Sequence, residues 1–399
     1  MYLLSSALKF YDSQKGSEGF NNFAVEGSLV TNPINKHLFR LALVLLLSGC
    51  ASDPVTEPAP YYGTLNQQVP VPVKPTSPPQ PTQPYDTTPT VPSNNSTYDA
   101  YNRPYGYSSG TTSGSYTNSA AVKNFIRHMV ETHGFSETYL QGLFSQANKL
   151  DSVISLENPP PSGSSSPKPG SWTRYRNKFL TDAHINNGVG FWHNNADAIR
   201  HASTTYGVDP EYIVGIIGVE TYFGKNIGKT CVFDALTTLS FNTYRRSKYF
   251  MSELEHFLLM ARDEGYNPRD PVGSWAGAMG LGQFMPSSFR RLGVDFDHNG
   301  RCDLWHPDDA IGSVANYFSR SGWQYRSPVA QQISNPYDAS VIELSTYGGN
   351  EYWRVHHNFK VIKRYNNSNK YAMAVHQLAQ AIKQRYQLSR LGTEQRSLQ

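Results

Sequence analysis

From residue 51 to about residue 118 the chain is made of Pro, Ser, Thr, Asn, Gln, Tyr and Gly, as in VPVPVKPTSPPQPTQP, with very few aliphatic side chains. Such a stretch cannot bury enough apolar surface to offset the entropy of ordering it, so it adds nothing to a core. Its prolines favour polyproline II, about 3 Å per residue, which makes it an extended, semi-rigid tether. Any folded body is therefore confined to the chain from about residue 119 of the 399.

Ahead of the tether, Lys36, His37 and Arg40 precede an apolar run at 41–47 that ends Leu47-Ser48-Gly49-Cys50. A basic flank, an apolar run too short to span a bilayer and small residues at the end describe a signal peptide. The ending resembles a bacterial lipobox, which makes Cys50 the lipidated mature N-terminus. Ala51 and Ser52 follow without an aspartate, which favours the periplasmic face of the outer membrane. A Pro-rich ligand for a partner domain is the other reading of the tether, and it explains the position behind a lipid anchor less directly. Residues 1–29 precede the basic flank and hold no Met after Met1, so the start is expected to be over-extended, with initiation near Val30. The net charge of +4 comes without a long basic run. Nothing calls for nucleic acid, while an acidic or polyanionic substrate would suit.

The body reads as mostly α. Val122, Phe125, Ile126, Met129 and Val130 recur at helical spacing before a stop at Gly134, and Ser136 is placed to cap the next helix. After the surface loop NPPPSGSSSPKPGS, TRYRNKFL and NNADAIRHASTTYG look helical, with Gly207 as a stop. Leu254, Phe257, Leu258 and Met260 are core, VIELS is a short strand, YGGN a turn, and YAMAVHQLAQAIKQRY a closing amphipathic helix.

Two stretches carry chemistry. In DPEYIVGIIGVETYFG, Asp209 suits an N-cap and Pro210 a first helical turn, while Ile213, Ile216 and Ile217 share a face that Glu220 continues. A carboxyl group on an apolar face is desolvated, which raises its pKa and equips it to donate a proton near neutrality. A buried ion pair is the alternative. Further on, Gly277, Gly280 and Gly282 leave little bulk beside Gln283, so a flat ligand could approach the backbone there, or the glycines serve tight packing.

The second stretch is DFDHNGRCDLWHPDDA. Asp295, Asp297 and Asn299 alternate, Gly300 supplies the turn, and Asp303 stands ninth, as in an EF-hand. His306 occupies the twelfth place, so the missing carboxylate would come from Asp308 or Asp309 at the start of the next helix. Cys231 and Cys302 remain beside Cys50, and in an oxidising compartment their pairing is open.

The motifs VGIIGVETYFG, DALTTLSF, LLMARDE, GAMGLGQFMPSS, LWHPDDAIGSVANYF and RYNNSNKYAMAV, spread over 171–323 and 352–378, resemble the membrane-bound lytic murein transglycosylase B family. The resemblance implies a lysozyme-like catalytic core of helices around a small strand-containing part, in an enzyme that cleaves the bond between N-acetylmuramic acid and N-acetylglucosamine. It makes Glu220 the single acid and base, which would explain why no second carboxylate is obvious. It places Tyr175, Tyr249, Ser274, Gln283, Tyr317 and Tyr365 along a sugar groove, with Arg245 and Arg246 near the acidic groups of the muropeptide. It implies structural Ca2+, no organic cofactor, and ligands Asp295, Asp297, Asn299, the Arg301 carbonyl and Asp309 in preference to Asp308. Expected partners are peptidoglycan strands, the outer membrane through the lipid, and proteins of cell-wall synthesis or remodelling.

The division is then 1–49 signal peptide, 50–118 lipidated cysteine and tether, 119–206 N-terminal helical part, 207–323 catalytic core with the calcium loop, and 324–390 strand-containing segment with closing helix. Two features depart from the family pattern: the region 324–351 is short for its strand-rich part, and Cys302 stands inside the metal loop. A muramidase that hydrolyses the same bond and a non-catalytic peptidoglycan-binding lipoprotein are the alternatives.

Overall fold

The computed structural model describes residues 116–159, 169–334, 336 and 340–397, with side chains as far as residue 391. The leader, Cys50 and the tether up to residue 115 lie outside the described residues. Helices α1 (Ala120–His133) and α2 (Glu137–Ser145) begin where the sequence predicts. Ser119 Oγ accepts from Val122 N, Ser136 Oγ accepts from Tyr139 N, and Gly134 ends α1 at φ 67°. They are followed by α3 (Asp151–Glu157), α4 (Ser171–Arg176), α5 (Asp182–Asn194), α6 (Ala196–Tyr206) and α7 (Pro210–Thr221).

Helix α7 organises what surrounds it. Every residue from Glu211 to Thr221 is buried, so the helix is enclosed on all sides where the isoleucine spacing suggested one apolar face. Helices α5, α6, α11 (Pro307–Arg320) and α13 (Asn369–Ser397) pack around it. Gly215 permits close approach to α13: a Cβ there would lie 3.0 Å from Ala379 Cβ and 3.2 Å from the Val375 carbonyl. Asp209 stands at the N-cap position without capping. Its carboxylate accepts from Trp323 Nε1 at 2.9 Å and from Arg326 N at 3.1 Å, tying the start of α7 to the loop after α11.

Helices α8 (Val232–Phe241), α9 (Ser247–Asp263) and α10 (Pro286–Leu292) form a second layer, with α3 against α8. Buried Asp234 accepts from Asn148 N and Nδ2 at 3.1 and 2.9 Å and pairs with Arg269. Strands β1 (Thr230–Cys231) and β2 (Val272–Gly273) form a two-residue antiparallel bridge. The segment after α11 builds more sheet than VIELS alone suggested: β3 (Ala330–Ile333), β4 (Val341–Thr346) and β5 (Gly349–Val355) form an antiparallel sheet in the order β3-β5-β4, with the turn of the β4–β5 hairpin at Tyr347 and Gly348. Helix α12 (His357–Tyr365) leads into α13. Cys231 and Cys302 are both free: the Cys231 thiol donates to the Arg269 carbonyl and that of Cys302 to Val294, so the disulfide the sequence left open is not made. No described helix is long and apolar enough to cross a membrane.

Candidate active site

Glu220, the last residue but one of α7, is 1% exposed. Its one hydrogen-bond partner among the described residues comes from 151 positions away: Tyr371 Oη donates to Glu220 Oε1 at 2.5 Å. Tyr371 lies in the first turn of α13, on the face that Val375, Leu378 and Ile382 turn inward. Burial pushes the Glu220 carboxyl up to about 8, while the hydrogen bond from Tyr371 pulls the other way. The group therefore keeps its proton at neutral pH and can still release it. The same burial, reinforced by Glu220, raises Tyr371, Tyr365 and Tyr175, so their hydroxyls remain donors.

Each tyrosine is held from outside the site. The ring of Tyr175 stacks on Trp172, with centroids 6.4 Å apart, and its helix α4 is fastened to the sheet by Glu351 of β5. Glu351 accepts from Trp172 Nε1 at 3.2 Å, Arg176 Nη1 at 3.4 Å and Trp353 Nε1 at 3.2 Å. Tyr365 Oη donates to the Gly282 carbonyl at 2.5 Å, and its ring lies 4.5 Å from that of Tyr317, whose hydroxyl donates to the Arg364 carbonyl.

The glycine-rich loop closes the far side. Thr221, next to Glu220, donates from Oγ1 to the Leu281 carbonyl at 2.9 Å, joining the end of α7 to the loop. Gly280 has φ 68°, and a Cβ there would sit 2.3 Å from the Leu304 carbonyl; one at Gly277 would strike Leu236. These glycines serve close packing inside the chain, the second of the two roles the sequence offered. Gln283 Nε2 donates to the carbonyls of Ile227 and Gly280, both at 3.1 Å, and its buried Oε1 has no partner among the described residues. Ser274 Oγ accepts from Ala278 N at 2.9 Å.

Tyr249 hydrogen-bonds to Glu253, which holds the start of α10 through Ser287 N and Oγ at 2.9 and 2.7 Å. Arg246 requires a correction. Its guanidinium is buried and bound through Nε and Nη2 to both oxygens of fully buried Glu157, so it is engaged inside the fold and cannot meet an acidic substrate group. An arginine between Tyr244 and Ser247 carries no sequence signal of that burial. Arg245 is the exposed member of the pair, 3.9 Å from Glu157.

In the Asp-rich loop, ligand oxygens of Asp295, Asp297 and Asp309 lie within 4.8 Å of one another. Asp309, fully buried in the first turn of α11, also accepts from Phe296 N, Asp297 N and Asp303 N, so it shapes the loop as well as facing its centre. Asn299 Oδ1 accepts from Arg301 N, and Asp303 Oδ1 accepts from Trp305 N at 2.9 Å. Converging carboxylates repel without a cation, and an all-oxygen donor set suits calcium, so these residues fit that ion. Asp308 groups instead with His306 and Asp297. Leu281 N donates to the Leu304 carbonyl, which links this loop to the glycine-rich one.

A buried proton-donating carboxyl among tyrosines, on a helical body, suits a class of enzyme that protonates a leaving oxygen, as glycan cleavage requires. The chain belongs to the transglycosylase SLT domain family, whose model matches residues 117–345 and 334–380. The membrane-bound lytic murein transglycosylase B of Escherichia coli (strain K12) is 46% identical over 304 residues, 67% of this chain and 84% of that relative. Two structures of Escherichia coli lytic transglycosylase Slt35, one in complex with bulgecin A and one with calcium, are each 45% identical, with a TM-score of 0.64 over 68% of this chain and 96% of theirs. The expected mostly helical, lysozyme-like fold with small sheets is the one these structures share.

Proposed function

We infer that this chain is a peptidoglycan lytic transglycosylase in which Glu220 is the single acid and base. One observation carries this reading: the carboxyl is buried and bonded to the Tyr371 hydroxyl alone among the described residues, with no second carboxyl group bonded to it, and burial raises its pKa so that it keeps its proton near neutrality. Glycoside hydrolases ordinarily need two carboxyl groups, one to protonate the leaving oxygen and one to attack or to activate water. A lone carboxyl must act twice, giving up one proton and then taking another. Glu220 protonates the glycosidic oxygen as the bond to C1 of muramic acid breaks. The resulting carboxylate then takes the proton of the C6 hydroxyl as that oxygen closes onto C1, giving a 1,6-anhydro end and restoring the acid.

The surrounding residues take roles that fit this chemistry. Tyr371 holds the carboxyl in one orientation, Tyr175, Tyr317 and Tyr365 line the sugar path, Gln283 Oε1 accepts from a substrate N–H or hydroxyl, and Ser274 and Tyr249 border the groove. Arg245 faces acidic groups of the stem peptide. Asp295, Asp297, Asn299, the Arg301 carbonyl and Asp309 would hold Ca2+, which neutralises the loop and steadies the Leu281–Leu304 junction behind the site. The structure of a relative in complex with calcium supports the choice of ion. The membrane-bound name of another agrees with anchoring at the outer membrane through Cys50 and the tether.

Digestion of sacculi in heavy-oxygen water tests the reading. A transglycosylase leaves every new muramic end unlabelled. The competing muramidase would place one heavy oxygen on each, and an inert binding protein would make no ends at all.

A further inference from the structure

We propose that His128, His133 and Glu255 form a second cation site, selective for a nitrogen-seeking divalent metal such as Zn2+, that staples α1 to α9. The two histidines come from the C-terminal half of α1 and the glutamate from the middle of α9. Each imidazole takes a different oxygen of the one carboxylate: His133 Nε2 lies 2.7 Å from Glu255 Oε1 and His128 Nε2 lies 3.3 Å from Oε2. The rings stand nearly perpendicular, at 87° with centroids 5.7 Å apart, so both nitrogens point to one place without stacking. Three ligand atoms, one from each residue, lie within 4.8 Å of one another.

The donor set decides the class of ion. Two imidazoles and a carboxylate suit zinc and its neighbours, whereas calcium and magnesium want oxygen. Ligands about 2.1 Å from a tetrahedral ion lie about 3.4 Å from each other, so the 2.7 Å contact of His133 with Glu255 would open by about 0.7 Å while the 3.3 Å contact of His128 already has that spacing. An outer partner is in place as well: Thr132 Oγ1 lies 3.2 Å from His128 Nδ1, where accepting a hydrogen bond from Nδ1–H would favour the tautomer whose Nε2 lone pair can bind a metal. Two of the three ligands, His128 and Glu255, line a surface cleft of about 530 Å³ together with Asn124, Lys248 and Ser252, which gives an ion an entry path and room for a water as fourth ligand. Arg262 Nη1 already donates to the His133 carbonyl at 2.7 Å, so the end of α1 is held against α9 and the ligands are brought together before metal arrives.

The test is calorimetric titration of the full chain with Zn2+ in a non-coordinating buffer, with calcium present to occupy the Asp-rich loop. Co2+ absorption is recorded in parallel, because a four-coordinate site gives strong visible bands. We expect one Zn2+ per chain, a higher melting temperature with zinc and calcium than with calcium alone, at least a tenfold loss of affinity in His133→Gln and in Glu255→Gln, and a loss of about 10–100-fold in Thr132→Val. His306→Gln, which alters the only other described histidine-containing cluster, should bind as the unaltered chain does. The proposal is overturned if no zinc is taken up, if His133→Gln keeps full affinity, or if His306→Gln abolishes binding. If the His–Glu contact is purely structural, the variants lose the same stability with and without zinc in the presence of calcium, and no Co2+ bands appear, which also overturns the proposal.

Discussion

Replacing Glu220 by Gln should change how stability depends on pH by an amount that follows from the site. In the folded protein the carboxyl ionises at about 8; in the unfolded chain it ionises at the ordinary value of 4.5. The folded-state value is the raised one, so the contribution is fully present below 4.5 and is lost as pH rises through 8. Between pH 5 and pH 7 the unfolded chain releases nearly a whole proton that the folded chain keeps, and at about 1.36 kcal/mol per unit this costs the wild type about 2.5 kcal/mol. Glutamine has the same shape, still accepts from Tyr371, and does not titrate. The assay is urea unfolding of wild type and Glu220→Gln in parallel at several pH values, since subtraction removes every other titrating group. The variant should gain on the wild type by about 2.5 kcal/mol from pH 5 to pH 7. A difference that stays constant over that range would refute the claim that Glu220 is buried as a neutral acid.

Other consequences follow from particular contacts. Arg246→Met strips fully buried Glu157 of the guanidinium bound to both its oxygens, and should cost about 3–5 kcal/mol in denaturant unfolding, whereas exposed Arg245→Ala should change stability by less than about 0.5 kcal/mol while weakening turnover of acidic muropeptides. Tyr371→Phe removes the hydrogen bond that lowers the Glu220 pKa, so the alkaline limb of the pH–rate profile should move to higher pH, with rate falling about tenfold or more as the carboxyl loses its orientation. Asp295→Asn should abolish the gain in melting temperature that calcium gives while leaving the chelated protein nearly unchanged. Asp309→Asn, which also caps three backbone N–H groups, should destabilise the chelated protein too.

Local signals were legible because they act over a few residues. Ser119, Gly134, Ser136 and Gly207 mark helix ends by their own hydrogen bonds or left-handed backbone, and all four do so here. The buried carboxyl was legible as well, for a reason slightly different from the spacing argument: α7 is enclosed on every side, and the signs of this in the sequence are Gly218, where the Phe223 ring leaves no room for a Cβ, and Gly215, where α13 leaves little. What could not be read is whatever depends on residues far apart. The Tyr371–Glu220 bond spans 151 positions, and the pairs that engage Arg246 with Glu157 and Asp209 with Trp323 span 89 and 114. In each case a polar side chain with an obvious local or substrate-facing role is claimed by a distant partner. Tyr371 does carry a faint sign, since it falls on the inward face of α13 four positions before Val375, where a hydroxyl needs a buried acceptor.

The central claim is that a lone buried carboxyl cleaves murein with a substrate hydroxyl in place of water. Mass spectrometry of sacculi digested by wild type and by Glu220→Gln measures it most directly. Muropeptides one water lighter than their hydrolysed counterparts, made by the wild type and absent with the variant, are the predicted result. Reducing muramic ends from the wild type, or anhydro products at undiminished rate from Glu220→Gln, would contradict it.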